Sequence, residues 1–76
     1  MRVFSSNALN WKGDWLYNKS RRLVRIVRDE KYPTMWRVQM PDGRLTDMVN
    51  RTRAKDAANS AALRILNDEE TARLHS

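Results

Sequence analysis

The stretch RTRAKDAANSAALRIL, residues 51–66, decides the fold that we predict for this chain. Its apolar positions recur at helical spacing and form one narrow stripe: Ala54, Ala57, Ala58, Ala61 and Ile65, widened by Ala62. Asn50 or Thr52 is suited to cap the start of this helix, because a short polar side chain can accept a hydrogen bond from the first unpaired N–H groups. The pattern therefore predicts an amphipathic helix over residues 51–66.

The alanine content of that stripe indicates how the helix packs. Small side chains allow the helix axis to lie close against a sheet, so glutamate at Ala57 or Ala61 is expected to unfold the domain. Asn59→Ala is expected to have little effect. Asn67 is a suitable C-cap, and residues 67–76 are expected to form a weakly ordered tail.

Two segments before the helix alternate as strands do. In RRLVRIVR, residues 21–28, Val24 and Ile26 share one face, opposite Leu23, Arg25 and Val27. The second segment, TMWRVQM, alternates more regularly: Trp36, Val38 and Met40 oppose Met35, Arg37 and Gln39.

A turn follows at Pro41-Asp42-Gly43, where proline presets φ and glycine supplies a positive φ. This predicts a three-residue hairpin loop into a shorter strand, RLTDMV, residues 44–49.

These elements predict one α+β domain over residues 1–76, with two layers. The sheet is a three-stranded antiparallel meander, with an option for a fourth N-terminal strand near Trp15, and one long C-terminal helix covers one face. Residues 1–10 are expected to be irregular, with Val3, Phe4 and Leu9 packed on the domain, and residues 11–49 hold the strands. Trp15 and Trp36 are assigned to the core, and Trp11 to either core or surface.

The composition argues against several classes of function. The chain has no cysteine and a single histidine, His75, so neither a disulfide framework nor a thiolate zinc site is available. The carboxylates cluster in a turn and in the tail, and no serine has a plausible histidine base. We therefore expect no enzyme activity and no cofactor. No segment is apolar enough for a signal peptide or a membrane span, which favours a cytoplasmic protein without a membrane partner. A bacterial or phage origin is a separate expectation.

The net charge of +6 is distributed unevenly. Residues 1–37 hold nine basic and three acidic side chains, whereas residues 38–76 hold six of each. Aromatic and basic residues interleave in the first half: Trp11, Lys12, Trp15, Tyr17, Lys19, Arg21, Arg22, Arg25 and Arg28. A basic surface with interleaved rings is typical of nucleic-acid binding, although a basic, solubilising surface explains the same charge.

Two groups of basic residues are candidate contacts. Arg25 and Arg37 lie on the sheet face opposite Val24, Ile26, Trp36 and Val38, and that face stays open if the helix covers the apolar one. Arg51, Arg53 and Lys55 stand at the helix start, where the macrodipole and free N–H groups also attract anions. The interleaved aromatic and basic residues of the first half add Lys19, Arg21 and Arg22. For each group the alternative is an ordinary solvated surface.

Residues 22–66 resemble the β-β-β-α half of double-stranded RNA-binding domains, which end in a helix of the form S-K-K-x-A-K-x-A-A-A. In that register Lys55 lies on the second lysine, and three alanines lie on alanines: Ala57, Ala61 and Ala62. The chain departs from the pattern at Arg53, Ala54 and Ala58, and residues 1–20 hold no counterpart of the N-terminal helix of that family. The resemblance implies contact with duplex RNA through the helix start.

The same order of elements is similar to small DNA-binding domains of the AP2 and integrase-arm type. Those domains read the major groove with the sheet, which implies base contact through Arg25 and Arg37. The expected function is thus non-enzymatic nucleic-acid binding. The alternative is a protein-interaction or accessory module, with homodimerisation as one form, whose basic charge is incidental.

Overall fold

The computed structural model describes residues 4–74, so Val3 and His75 lie outside the described residues. After one 3-10 turn (Ser6–Ala8) come strands β1 (Asn10–Lys12), β2 (Trp15–Asn18), β3 (Arg21–Arg28) and β4 (Trp36–Gln39), then helix α1 (Arg51–Leu74). The strands form one antiparallel sheet in the order β1-β2-β3-β4. Helix α1 packs across β2, β3 and β4. The predicted α+β fold, a meander covered by one long C-terminal helix, is confirmed.

Two-residue loops connect the first three strands. Lys12 pairs with Trp15 around Gly13-Asp14, and Asn18 pairs with Arg21 around Lys19-Ser20. The first loop residue has a positive φ in both, 62° at Gly13 and 57° at Lys19, as in a type II′ turn. Glycine adopts a positive φ without strain, whereas at Lys19 the same conformation strains the backbone.

The segment predicted as a last strand, residues 44–49, is not a regular strand. The loop closes as predicted, with Gly43 at φ 92°. The segment then forms no continuous ladder with β4: it pairs at two isolated bridges, Gln39 with Leu45 and Trp36 with Val49. The two bridges are three residues apart on β4, from Trp36 to Gln39, but four residues apart on the segment, from Leu45 to Val49. This extra residue breaks the ladder as a bulge does.

The core lies between α1 and one face of the sheet. Its fully buried large side chains are Leu16, Val24, Ile26 and Val38, and Trp36 is buried beside them, as predicted. Phe4 and Leu9 pack against its edge. Leu23, predicted on the opposite face, is also buried. The β2–β3 register shifts there, so that Leu23 has no partner on β2 and the simple alternation does not apply.

The buried side of α1 differs from the predicted stripe. The buried residues are Ala54, Ala58, Ala62 and Leu66, whereas Ala57 is exposed and Ala61 is half-buried. Residues four apart form an inclined ridge on a helix, and it is this ridge that packs on the sheet. The prediction that Ala57 faces the sheet is therefore wrong.

Helix α1 does not end at Asn67, and residues 67–74 are helical. Asn67 is not a C-cap, because its Oδ1 accepts a 2.8 Å hydrogen bond from the backbone N–H of Phe4. Arg21 holds the next turn through two 2.7 Å hydrogen bonds to Glu69. These long-range contacts extend the helix past the point where its own sequence pattern stops.

Candidate functional site

The face of the sheet that α1 leaves uncovered is here called the open face. Strand alternation places on it the neighbours of the buried residues: Lys12, Trp15, Tyr17, Arg22, Arg25, Val27, Arg37 and Gln39. Arg25 and Arg37 lie there as predicted. The open face combines cations with aromatic and amide side chains, and its acidic neighbours Asp29 and Glu30 come from the loop after β3.

Trp15 is the aromatic centre of the open face. It is only half-buried and lies outside the core, so its assignment to the core is wrong. The guanidinium carbon of Arg22 lies 4.7 Å from the centroid of the Trp15 ring, and that of Arg25 lies 5.1 Å from it. At these distances the ring quadrupole attracts both cations. Trp15 thus positions the guanidinium groups of Arg22 and Arg25 side by side on the open face.

Arg25 is also held by Gln39, its direct partner on β4. The Nε–H of Arg25 donates a hydrogen bond to Oε1 of Gln39. The two terminal nitrogens of Arg25 donate to no group within residues 4–74. The charge is fixed in place while most of its donors remain available.

Arg37 is more fully engaged than Arg25. Its Nε donates to Oδ2 of Asp29 at 3.0 Å, and its Nη1 donates to the carbonyl of Thr46 at 2.8 Å. Asp29 also accepts from the backbone N–H groups of Tyr32 and Lys31. The Tyr32 N–H and then Arg37 lower the pKa of Asp29 below its ordinary value. Arg37 therefore orders the loop after β3, with one terminal nitrogen left for a ligand.

Two shallow depressions lie on the open face and meet at Gln39. One, of about 330 Å³, lies between Trp15, Arg22 and the loop at Gly43. The other, of about 580 Å³, lies beside Arg25 and reaches Leu45. Gln39 is thus accessible from both depressions, and Arg25 from the second.

The helix start is arranged differently from the prediction of one cationic cluster. The guanidinium carbon of Arg51 lies 5.3 Å from the centroid of the Trp36 ring, and its Nη2 lies 3.5 Å from Oδ1 of Asp14. Lys55 lies 4.9 Å from the Trp11 centroid. Arg53 is exposed, and its side chain has no partner within the described residues. Arg51 and Lys55 thus each lie over an aromatic ring. Arg53 is two residues from each of them in the sequence, so its side chain points to a different side of the helix.

Asn50 caps α1, since its Oδ1 accepts a 2.9 Å hydrogen bond from the backbone N–H of Arg53. This uses one of the helix N–H groups that an anion needs. The structure does not bring Arg51, Arg53 and Lys55 together around free N–H groups.

The remaining two candidates are separated from the open-face cluster. Lys19 is exposed in the β2–β3 loop. Arg21 is paired with Glu69, and this hydrogen bond lowers the pKa of Glu69 and raises that of Arg21. Arg21 thus serves helix packing first.

Three residues of this region were not among the predicted contact residues. Gln39 lies two residues after Arg37 in TMWRVQM, so strand alternation correctly predicted both on the same sheet face. Gln39 was nevertheless not predicted to contact a ligand. The position of Trp15 on the open face could have been predicted from its neighbour, because Leu16 is the buried residue of β2 and adjacent strand residues point to opposite faces. Lys12, 5.1 Å from the Tyr17 ring centroid, follows from the β1–β2 register.

No family model, curated protein or solved structure matches the chain significantly. The resemblance to double-stranded RNA-binding domains stays a prediction. Across residues 4–74, no helix has the apolar length required to cross a membrane.

Proposed function

We propose that this is a non-enzymatic nucleic-acid-binding domain and that its open face is the contact surface. The observation that carries the proposal is the seating of Arg22 and Arg25 on Trp15, 4.7 and 5.1 Å from the ring centroid. Cations held in position lose little side-chain entropy when they meet a phosphate. The net charge of +6 supplies the long-range attraction.

The same geometry favours contacts to phosphates and groove edges over stacking of unpaired bases. A base can stack only on an accessible ring face, yet cations already lie over Trp11, Trp15 and Tyr17. Duplexes are therefore expected to bind more tightly than single strands of equal length.

The experiment is a titration of the protein with fluorescent duplex DNA, duplex RNA and single strands, each at two salt concentrations. Affinity in the micromolar range or tighter that falls steeply with salt is expected for phosphate contacts. Absence of binding to every probe at low salt contradicts the proposal and favours the protein-interaction module, which sedimentation at rising concentration would then test.

Matched variants locate the surface. Arg22→Gln with Arg25→Gln removes two charges from the open face and should lower the salt slope by about one to two phosphate contacts. Arg64→Gln with Arg73→Gln removes the same charge from α1 and should change affinity much less. The triple alanine variant of Arg51, Arg53 and Lys55 tests the helix start, and an equal or larger loss there would move the site away from the open face.

A further inference from the structure

The pairing of Arg25 with Gln39 has a chemical consequence for recognition. The two residues face each other on β3 and β4, and the Nε–H of Arg25 donates to Oε1 of Gln39. Arginine has five N–H donors and no acceptor, so the glutamine must turn its oxygen, not its NH₂ group, towards Arg25. The amide orientation is thus set by the neighbour.

The pair therefore presents donors outward. Arg25 retains the N–H groups of both terminal nitrogens, and Gln39 retains the two N–H groups of Nε2. The guanidinium charge beside Oε1 also disfavours the approach of another N–H donor to that oxygen. Trp15, 5.1 Å from the guanidinium carbon, restricts the Arg25 side chain further.

We propose that Arg25 and Gln39 form a donor-only unit that selects guanine in the major groove of duplex DNA. This inference rests on the proposed function. Guanine shows two acceptors there, O6 and N7, whereas adenine and cytosine each show an amino donor and thymine shows a methyl group beside its single acceptor. Glutamine ordinarily reads adenine with its oxygen and its NH₂ together, and here that oxygen is engaged.

The shape of the site selects DNA over RNA. Arg25 and Gln39 lie on β3 and β4, two adjacent antiparallel strands of the four-stranded sheet, and the major groove of B-DNA is wide enough to admit a pair of strands. The major groove of an RNA duplex is too deep and narrow for such a pair. A phosphate group is also an acceptor-only ligand, so the test must separate base edges from the backbone.

The experiment compares three preparations of one duplex pool, enriched from random sequence by the wild-type protein. One carries ordinary bases, one carries 7-deazaguanine and one carries 7-deazaadenine. Loss of the guanine N7 acceptor should weaken binding about 5- to 100-fold, while loss of the adenine N7 should have little effect. Equal affinity for all three preparations would assign the pair to phosphate contact and overturn this inference, while leaving nucleic-acid binding intact. No binding to any duplex would overturn the proposed function as well.

Two variants give an independent readout. Arg25→Lys keeps the charge and should keep the salt dependence, but it loses the planar fork, so the difference in affinity between the ordinary and 7-deazaguanine pools should shrink. Gln39→Glu replaces the outward amide donors by acceptors and should also lose discrimination. Arg64→Gln is the control and should discriminate as the wild type does. If a variant fails to fold, the comparison of the three pools with wild-type protein still decides the question.

Discussion

Arg21 and Glu69, 48 positions apart in the chain, form two parallel hydrogen bonds of 2.7 Å that join the start of β3 to the last turns of α1. Both side chains are about half exposed, so this pair contributes modestly to global stability. Its position matters more than its energy, because it orders the part of the helix beyond the buried Leu66.

Glu69→Gln is expected to lower the free energy of unfolding by less than about 1 kcal/mol while loosening the end of α1. Hydrogen exchange should accelerate at the amides of residues 68–74 and stay unchanged in β3. Asp68→Asn is the control on the preceding position, which is exposed. Equal acceleration in both variants would show that the helix end does not depend on Arg21.

Ala58 and Ala57 are adjacent in the sequence but differ completely in environment. Ala58→Glu should destabilise the domain by at least about 3 kcal/mol, because Ala58 is fully buried, so the larger side chain overpacks the core and its carboxylate loses water. Ala57→Glu should change stability by no more than about 0.5 kcal/mol, because Ala57 is exposed. Urea unfolding monitored by circular dichroism distinguishes them. Comparable losses would contradict the observed orientation of the helix.

Lys19 has a strained backbone at the first position of the β2–β3 loop, with φ 57°. Lys19→Gly should raise the free energy of unfolding by about 0.5 kcal/mol, since relief of the strain outweighs the entropy cost of glycine. Thermal melting and urea titration measure the change. Lys19→Ala removes the same charge but keeps the Cβ, so it should bring no gain; a gain of equal size there would identify charge repulsion as the cause.

Asn50 caps a helix whose first turn contains no acidic residue. Asn50→Ala should cost about 1 kcal/mol, because the N–H of Arg53 loses its acceptor. Asn50→Asp should keep the cap and add about 0.3–1 kcal/mol at low salt, since a carboxylate interacts favourably with the helix dipole and with Arg51 and Arg53. The gain of the aspartate variant should shrink as salt is added. Salt-independent stability would contradict this electrostatic account.

Asp29 makes stability depend on acid pH. Hydrogen bonds from the Tyr32 N–H and then from Arg37 lower its pKa in the folded state, so the folded protein binds that proton less readily than the unfolded chain. Its contribution is therefore complete above the ordinary carboxyl pKa of about 4 and is lost as pH falls through the lowered folded value. Urea unfolding at several acidic pH values should show a shallower pH dependence for Asp29→Asn than for the wild type. Identical slopes would mean that other carboxylates, Glu69 foremost, control the acid transition.

The amino-acid sequence by itself determined the fold class and much of the open face. Local signals were sufficient for this: alternation in RRLVRIVR and TMWRVQM, glycine after Pro41-Asp42, and alanines at helical spacing. Arg25, Arg37 and Gln39 fell on the open face because strand alternation is a local property of the backbone.

Only the tertiary structure decided which ridge of α1 is buried, where α1 ends and which cations remain available. The ridge depends on the angle at which the helix crosses the sheet, and the helix end depends on Arg21 and Phe4, which are distant in sequence. The register shift that buries Leu23 and the pairing that orients Gln39 likewise arise between strands. Periodicity within one segment carries no information about such partners, because their contacts form only when the whole chain is folded.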